Sequence, residues 1–218
     1  MAKCIDLSHV IENGMITYPG LPGPKIADHL SREGSRQHYA EDTTFQIGKI
    51  EMVANTGTYI DAPFHRYKAG KDLSQLDTAS VANLDGVVFH ADAGNLAIQP
   101  DLFKGNDVRG KAVLIHTGWD RHWGTEPYFR DHPYLTRDSA GHLKSAGAAL
   151  VGIDSLNIDD NTDGMRPAHT ILLGSEIPIV EHLCNLGALP ATGFKFFAVP
   201  APVKGLGSFP VRAFAIID

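Results

Sequence analysis

Three short apolar runs limit most strongly what this chain can fold into. They are Gly86-Val87-Val88-Phe89-His90, Lys111-Ala112-Val113-Leu114-Ile115-His116 and Ala148-Ala149-Leu150-Val151-Gly152-Ile153-Asp154. None alternates apolar with polar residues, so each suits a strand buried on both faces. Further strands are predicted over residues 4–10, 194–199 and 211–217. Residues 45–52 alternate with period two and read as a half-buried strand. Residues 139–147 can form a helix ahead of the third run. Residues 177–186 have helical spacing in Ile179, Val180, Leu183 and Leu186, with Pro178 at a tolerated first-turn position. Residues 72–77 can make one helical turn. Residues 18–39 are polar and marked by Gly and Pro, which predicts a long loop or lid. Strands outnumber helices and the order mixes them, giving an α/β fold with a β-rich core. With no internal repeat or linker, residues 1–218 are expected to form a single domain.

Composition removes several function classes. The formal net charge is -6 and no run of Lys or Arg occurs, which argues against nucleic acid as a partner. No apolar stretch approaches the ~18 residues of a membrane helix. The first residues lack the apolar core of a signal peptide. Two cysteines, Cys4 and Cys184, are no disulfide framework, so a cytoplasmic location is expected. The 11 histidines permit a metal site.

The stretch over residues 55–65, Asn-Thr-Gly-Thr-Tyr-Ile-Asp-Ala-Pro-Phe-His, places Asp61 and His65 four residues apart. Gly57 and Pro63 rule out a helix interior, where Pro costs roughly 3 kcal/mol. The β-branched lead-in at residues 50–54 suggests a strand entering a tight bend, with both polar side chains on a stiff irregular segment. Alone, such a pair is more often a turn cap and a surface imidazole than a site. A second cluster, residues 169–181, adds His169, Glu176 and Glu181. Asp61, His65, His169 and Glu181 form a set suited to a divalent metal, provided that the fold joins the two clusters. The competing readings are a buried His169 satisfied by backbone and a Glu181 on a solvated helix face. No Gly-x-Ser-x-Gly elbow, cysteine signature or phosphate-binding Gly-rich loop is present.

Residues 55–65 resemble the cyclase-family signature His-x-Gly-Thr-His-x-Asp-x-Pro-x-His, from the superfamily of bacterial kynurenine formamidase and isatin hydrolase. Tyr18-Pro19-Gly20, His116-Thr117-Gly118-Trp119, Gly152-Ile153-Asp154-Ser155, Asn157-Ile158-Asp159, His169 through Leu183 and Pro210-Val211-Arg212 add matches in the family's order. The resemblance implies a swivelling β/β/α domain and a homo-oligomer, a dimer or tetramer. It implies Asp61, His169 and Glu181 as metal ligands, His65 as the proton shuttle and Tyr18 as a substrate contact. Two signature histidines are replaced, by Asn55 and Tyr59. Neither substitutes well for imidazole: an amide carbonyl suits harder cations, and a phenol must first lose a proton of pKa about 10. One divalent ion, zinc or manganese, is therefore expected, with Tyr59 as a neutral oxyanion donor and Asn55 facing substrate. The expected activity is metal-dependent hydrolysis of a small amide, lactam or lactone. The alternative is a small-molecule binding protein on the same fold that has lost its chemistry.

Overall fold

The computed structural model describes residues 2–92 and 94–217. Its strands are β1 (Lys3–Asp6), β2 (Lys25–Leu30), β3 (Ile47–Glu51), β4 (Tyr59–Asp61), β5 (Leu84–His90), β6 (Ala97–Ile98) and β7 (Ala112–His116). They continue as β8 (Tyr134–Leu135), β9 (Leu150–Ile153), β10 (Ile179–Glu181), β11 (Phe194–Phe197), β12 (Ser208–Pro210) and β13 (Phe214–Ile217). The α-helices are α1 (Arg32–Ser35), α2 (Arg137–Ala146) and α3 (Pro167–Leu173).

Nine strands make one sheet in the order β1-β13-β11-β5-β7-β9-β10-β4-β12. The three apolar runs are its middle: β5, β7 and β9 pair in parallel, and β10 extends the parallel set. Around them the pairing is antiparallel. Ser8, just past β1 at one edge, bridges to Leu183, just past β10 near the other. The Cys184 amide also donates to the Leu7 carbonyl at 3.0 Å. The sheet is thus curled back on itself.

Alternation along the middle strands feeds two cores. Ala112, Leu114 and Leu150 join Ile60, Val180, Phe196 and Ala215 inside the curl. Val113, Ile115, Val151 and Ile153 face outward, against Ala140 and Leu143 of α2 and Ala168, Leu172 and Leu173 of α3. This two-sided burial is why those strands carry no polar alternation. Among the described residues no helix is long and apolar enough to cross a membrane.

Four expectations are corrected. Residues 177–186 are not a helix: β10 occupies Ile179–Glu181, paired with β4 and β9. Two open ladders outweigh a spacing that the β-branched Ile179 and Val180 fit equally well in a strand. Residues 18–39 are not a plain loop, because β2 and α1 lie within them. β3 is exposed throughout rather than half-buried, since among the described residues it pairs with β2 alone. The strand predicted over residues 4–10 ends at Asp6. Helix α3 carries no expectation from sequence.

Gly86 sits opposite Phe194 in the β5–β11 ladder. A Cβ there would lie 1.9 Å from a carbon of the buried Phe194 ring. Gly86→Ala should therefore destabilise the fold by about 1–3 kcal/mol. Urea unfolding should show a lower midpoint with an unchanged slope.

Candidate active site

The register of three strands builds the floor of the site. In β4, Tyr59 and Asp61 are two residues apart and so share a face. Glu181 of β10 lies opposite Tyr59, and Ser208 of β12 lies opposite Asp61. The intervening Ile60 and Val180 point into the inner core. The expectation that Asp61 occupies an irregular segment is corrected, since it ends a strand. His65 does sit past the bend, on a single 3-10 turn over Pro63–His65. The loop into β12 packs on this turn so closely that a Cβ at Gly207 would lie 2.3 Å from the His65 nitrogen.

His169 comes from the first turn of α3, which opens with Pro167 at a position that needs no donor. Asp159 holds that turn from outside. Its carboxylate accepts from the Ala168 amide at 2.6 Å, the His169 amide at 3.0 Å and His169 Nδ1 at 2.6 Å. The Nδ1 proton is thereby fixed, and Nε2 is turned toward the floor. Nε2 lies 3.6 Å from Asp61 Oδ2 and 3.7 Å from Glu181 Oε1. Asp61 Oδ2 is buried and has no hydrogen-bond partner among the described residues.

The remaining oxygens are occupied. Glu181 Oε1 accepts from the Ile158 amide at 2.7 Å, and Oε2 accepts from the Tyr59 hydroxyl at 2.5 Å. The Ser208 hydroxyl donates to Asp61 Oδ1. Having spent its one proton, Ser208 Oγ can only accept from His65 Nδ1, 2.8 Å away. This leaves His65 Nε2 unprotonated when the ring is neutral. Tyr18 donates to the Leu156 carbonyl at 2.6 Å and accepts from Asn157 Nδ2 at 2.7 Å.

Electrostatics follow from this burial. His169 would be lowered by burial, but its hydrogen bond to Asp159 and the neighbouring charges of Asp61 and Glu181 push it up to about 10. Glu181 is raised, chiefly by burial and against the attraction of His169. Tyr18 and Tyr59 are driven well above 10, first by burial and then by the charge of Glu181. Both phenols are therefore neutral at physiological pH.

The structure brings the sequence-predicted residues together. Tyr18, Asn55, Tyr59, His65, His169 and Glu181 line one cavity of ≈ 320 Å³. Asp61 lies beneath it, with one oxygen within 4.8 Å of donor nitrogens of His65 and His169. Sequence reasoning assigned no part to Asp159, Ser208, Asn157, Arg66 or Arg166. Asp159 stood in a segment already matched to the family, and its place shortly before a Pro-started helix was the available signal. Ser208 had none, because only β12 pairing places it.

Residues 5–160 match the family described as putative cyclase. The chain belongs to the cyclase family. A relative at 30% identity is the kynurenine formamidase of Geobacillus thermodenitrificans (strain NG80-2), aligned over 98% of this chain and 97% of that protein. Isatin hydrolase A from Labrenzia aggregata, solved bound to benzyl benzoate, shares the fold with a TM-score of 0.84 at 20% identity, covering 99% of this chain and 94% of that one. A structure described as a potential metal-dependent hydrolase with cyclase activity gives a TM-score of 0.82 at 23% identity, over 100% and 99% of the two chains. These likenesses establish the α/β architecture read from the sequence.

Behind the family site lies an aromatic wall in which His9 stacks on Trp123, with ring centroids 3.9 Å apart. His9 Nε2 is buried without a partner. Burial lowers the His9 pKa to about 4, against the opposing charge of Asp120. The unfolded chain takes up this proton near pH 6.5, whereas the folded chain takes it up near 4. Between those values the unfolded state binds more protons, so stability falls as pH falls. Urea unfolding from pH 7 to pH 4 should show this loss, and His9→Gln should reduce it by about 3 kcal/mol.

Proposed function

We propose that the protein is a metal-dependent hydrolase of a small amide, lactam or lactone, with Asp61, His169 and Glu181 holding one divalent ion, zinc or manganese. One observation carries this reading. Asp61 Oδ2 is a buried carboxylate oxygen without a partner, aimed at an imidazole nitrogen whose other side is fixed by a carboxylate. Buried carboxylates are paired or coordinate metals, and a carboxylate behind a ligating histidine is the usual supporting arrangement. The kynurenine formamidase relative supports the amide class. A bound divalent cation would polarise the substrate carbonyl and lower the pKa of a water molecule.

The chain's own groups do the rest. His65 lines the cavity, and with Nδ1 held by Ser208 its Nε2 is left as an acceptor, so His65 takes the proton of the attacking water and returns it to the leaving group. Ser208, itself bonded to Asp61, holds the ring through Nδ1. Tyr59, a neutral phenol, is the oxyanion donor once it turns its single proton from Glu181 Oε2 to the substrate oxygen. Asn55 and Tyr18 contact the substrate. His65 is near enough to be a ligand itself. The shuttle is favoured because its ring is 36% exposed at the mouth, whereas Asp61 and Glu181 are fully buried.

The substitutions separate these roles. Purified protein should hold no more than one tightly bound transition metal per chain by elemental analysis. Asp61→Ala should abolish binding and Tyr59→Phe should leave it largely intact. His65→Ala should keep the metal and lose about 10² to 10⁴ in kcat. A metal-free His65→Ala protein would move His65 to the ligands, and full kcat would defeat the mechanism.

The same reading places the enzyme in the cytoplasm as a homo-oligomer, a dimer or a dimer of dimers. The β2–β3 hairpin supports assembly. It forms its own two-stranded sheet with Ile26, Ile47 and Ile50 exposed, and isolated hairpins are marginal in water. Light scattering at micromolar concentration should show more than one chain, and a monomer would rule this out.

A further inference from the structure

Two arginines stand at the mouth of the cavity, and the chemistry above uses neither. Arg66 follows His65 directly, and Arg166 precedes α3; both line the same cavity as His65 and Glu181. Arg66 Nε donates to Thr170 Oγ1 at 3.3 Å, and the Thr170 amide donates to the Arg166 carbonyl at 2.9 Å. Both residues are thus tied to Thr170 of α3, Arg66 by its side chain and Arg166 by its backbone.

Acidic residues exceed basic ones by 25 to 19 over the whole chain. Yet among the described residues neither guanidinium forms an ion pair with a carboxylate. Arg166 NH1 instead donates to Asn157 Oδ1 at 3.1 Å and Asn161 Oδ1 at 2.7 Å, two neutral amides. Those contacts orient the guanidinium without cancelling its charge. Asn157 is also the residue that donates to Tyr18, so Arg166 is linked to the site interior. Arg166 further adopts a left-handed backbone conformation, φ 47°. For a residue other than Gly this conformation is strained and persists where the surroundings impose it. Surface arginines are ordinarily mobile and solvated. This one is half-buried, strained, held by two amides and left with its charge free.

The geometry points to an anion subsite: Arg66 and Arg166 hold a carboxylate of the substrate, so the hydrolysed compound is a small carboxylate-bearing amide. This rests on the hydrolase reading above and narrows its substrate class. The guanidinium fork matches a carboxylate in two parallel hydrogen bonds. A cavity of ≈ 320 Å³ suits one ring and its substituents. The carboxylate would fix the far end of the molecule and bring the scissile carbonyl over Asp61 and His169.

The test uses two probes that differ only in charge, 2-formamidobenzoate and 2-formamidobenzamide. Formate release reads cleavage of the same C–N bond in both. Wild-type protein should favour the anion by at least about tenfold in kcat/KM. The Arg66→Gln/Arg166→Gln double variant should bring that ratio close to one, and the two Lys variants should keep part of it. A ratio near one in the wild type, or one unmoved by the double variant, overturns the subsite. Should the double variant not fold, the exposed Arg66→Gln variant gives the same reading on its own. Calorimetric binding of 2-aminobenzoate and 2-aminobenzamide separates this inference from the hydrolase reading. If neither formyl compound is cleaved but the benzoate binds about 10- to 100-fold better and loses that advantage without the arginines, the subsite stands and amide hydrolysis falls. If the two bind alike, the subsite falls whatever is cleaved.

Discussion

Everything in the site depends on keeping negative charge out of water. Asp61, Asp159 and Glu181 are all fully buried. Removing a carboxylate from water costs several kcal/mol even after relaxation. The structure offsets that cost with donors that the backbone fixes in place: the Ile158 amide for Glu181, the Ala168 and His169 amides for Asp159, and the Ser208 hydroxyl for Asp61. His169 is the one basic side chain common to all three. A single oxygen, Asp61 Oδ2, is left without a donor. A concentration of this kind is tolerated only when a cation completes it, a proton on His169 or a metal in its place.

The strands that carry these groups were partly legible in the sequence. The unbroken apolar runs around Val87, Val113 and Val151 identified the middle of the sheet, because two-sided burial leaves no room for polar alternation. The segment around Glu181 was misread, because Ile179, Val180, Leu183 and Leu186 satisfy a helical period as readily as an extended one. What decides is pairing with β4 and β9, and pairing is a property of the whole chain rather than of a window. β2 was hidden for a related reason. Its residues, Lys25 to Leu30, carry no buried face, so no apolar pattern was needed to specify them.

The candidate ligands were legible as residue types but not as a site. Asp61 and His65 stood in one motif and His169 and Glu181 in another, over a hundred residues away. Their convergence required β4 to lie beside β10. The residues that orient them were less visible still. Ser208 reaches both Asp61 and His65 only because β12 pairs on the other side of β4. Arg66 and Arg166 are polar residues in polar surroundings, and only their place in the lining of the cavity distinguishes them.

Tyr59 shows how one substitution reshapes the balance of such a site. Its hydroxyl satisfies Glu181 Oε2, and the Ile158 amide satisfies Oε1, so this carboxylate needs less from any cation than an unpartnered one would. A histidine at position 59 would bring a lone pair for a metal. A phenol driven well above pKa 10 brings a proton. The demand for positive charge is thereby concentrated on one point, between Asp61 Oδ2 and His169 Nε2. With charge balanced on the floor by a single centre, the free guanidiniums of Arg66 and Arg166 act on whatever enters from the mouth. The floor and the mouth then present complementary requirements to one small molecule: a carbonyl at one end and negative charge at the other.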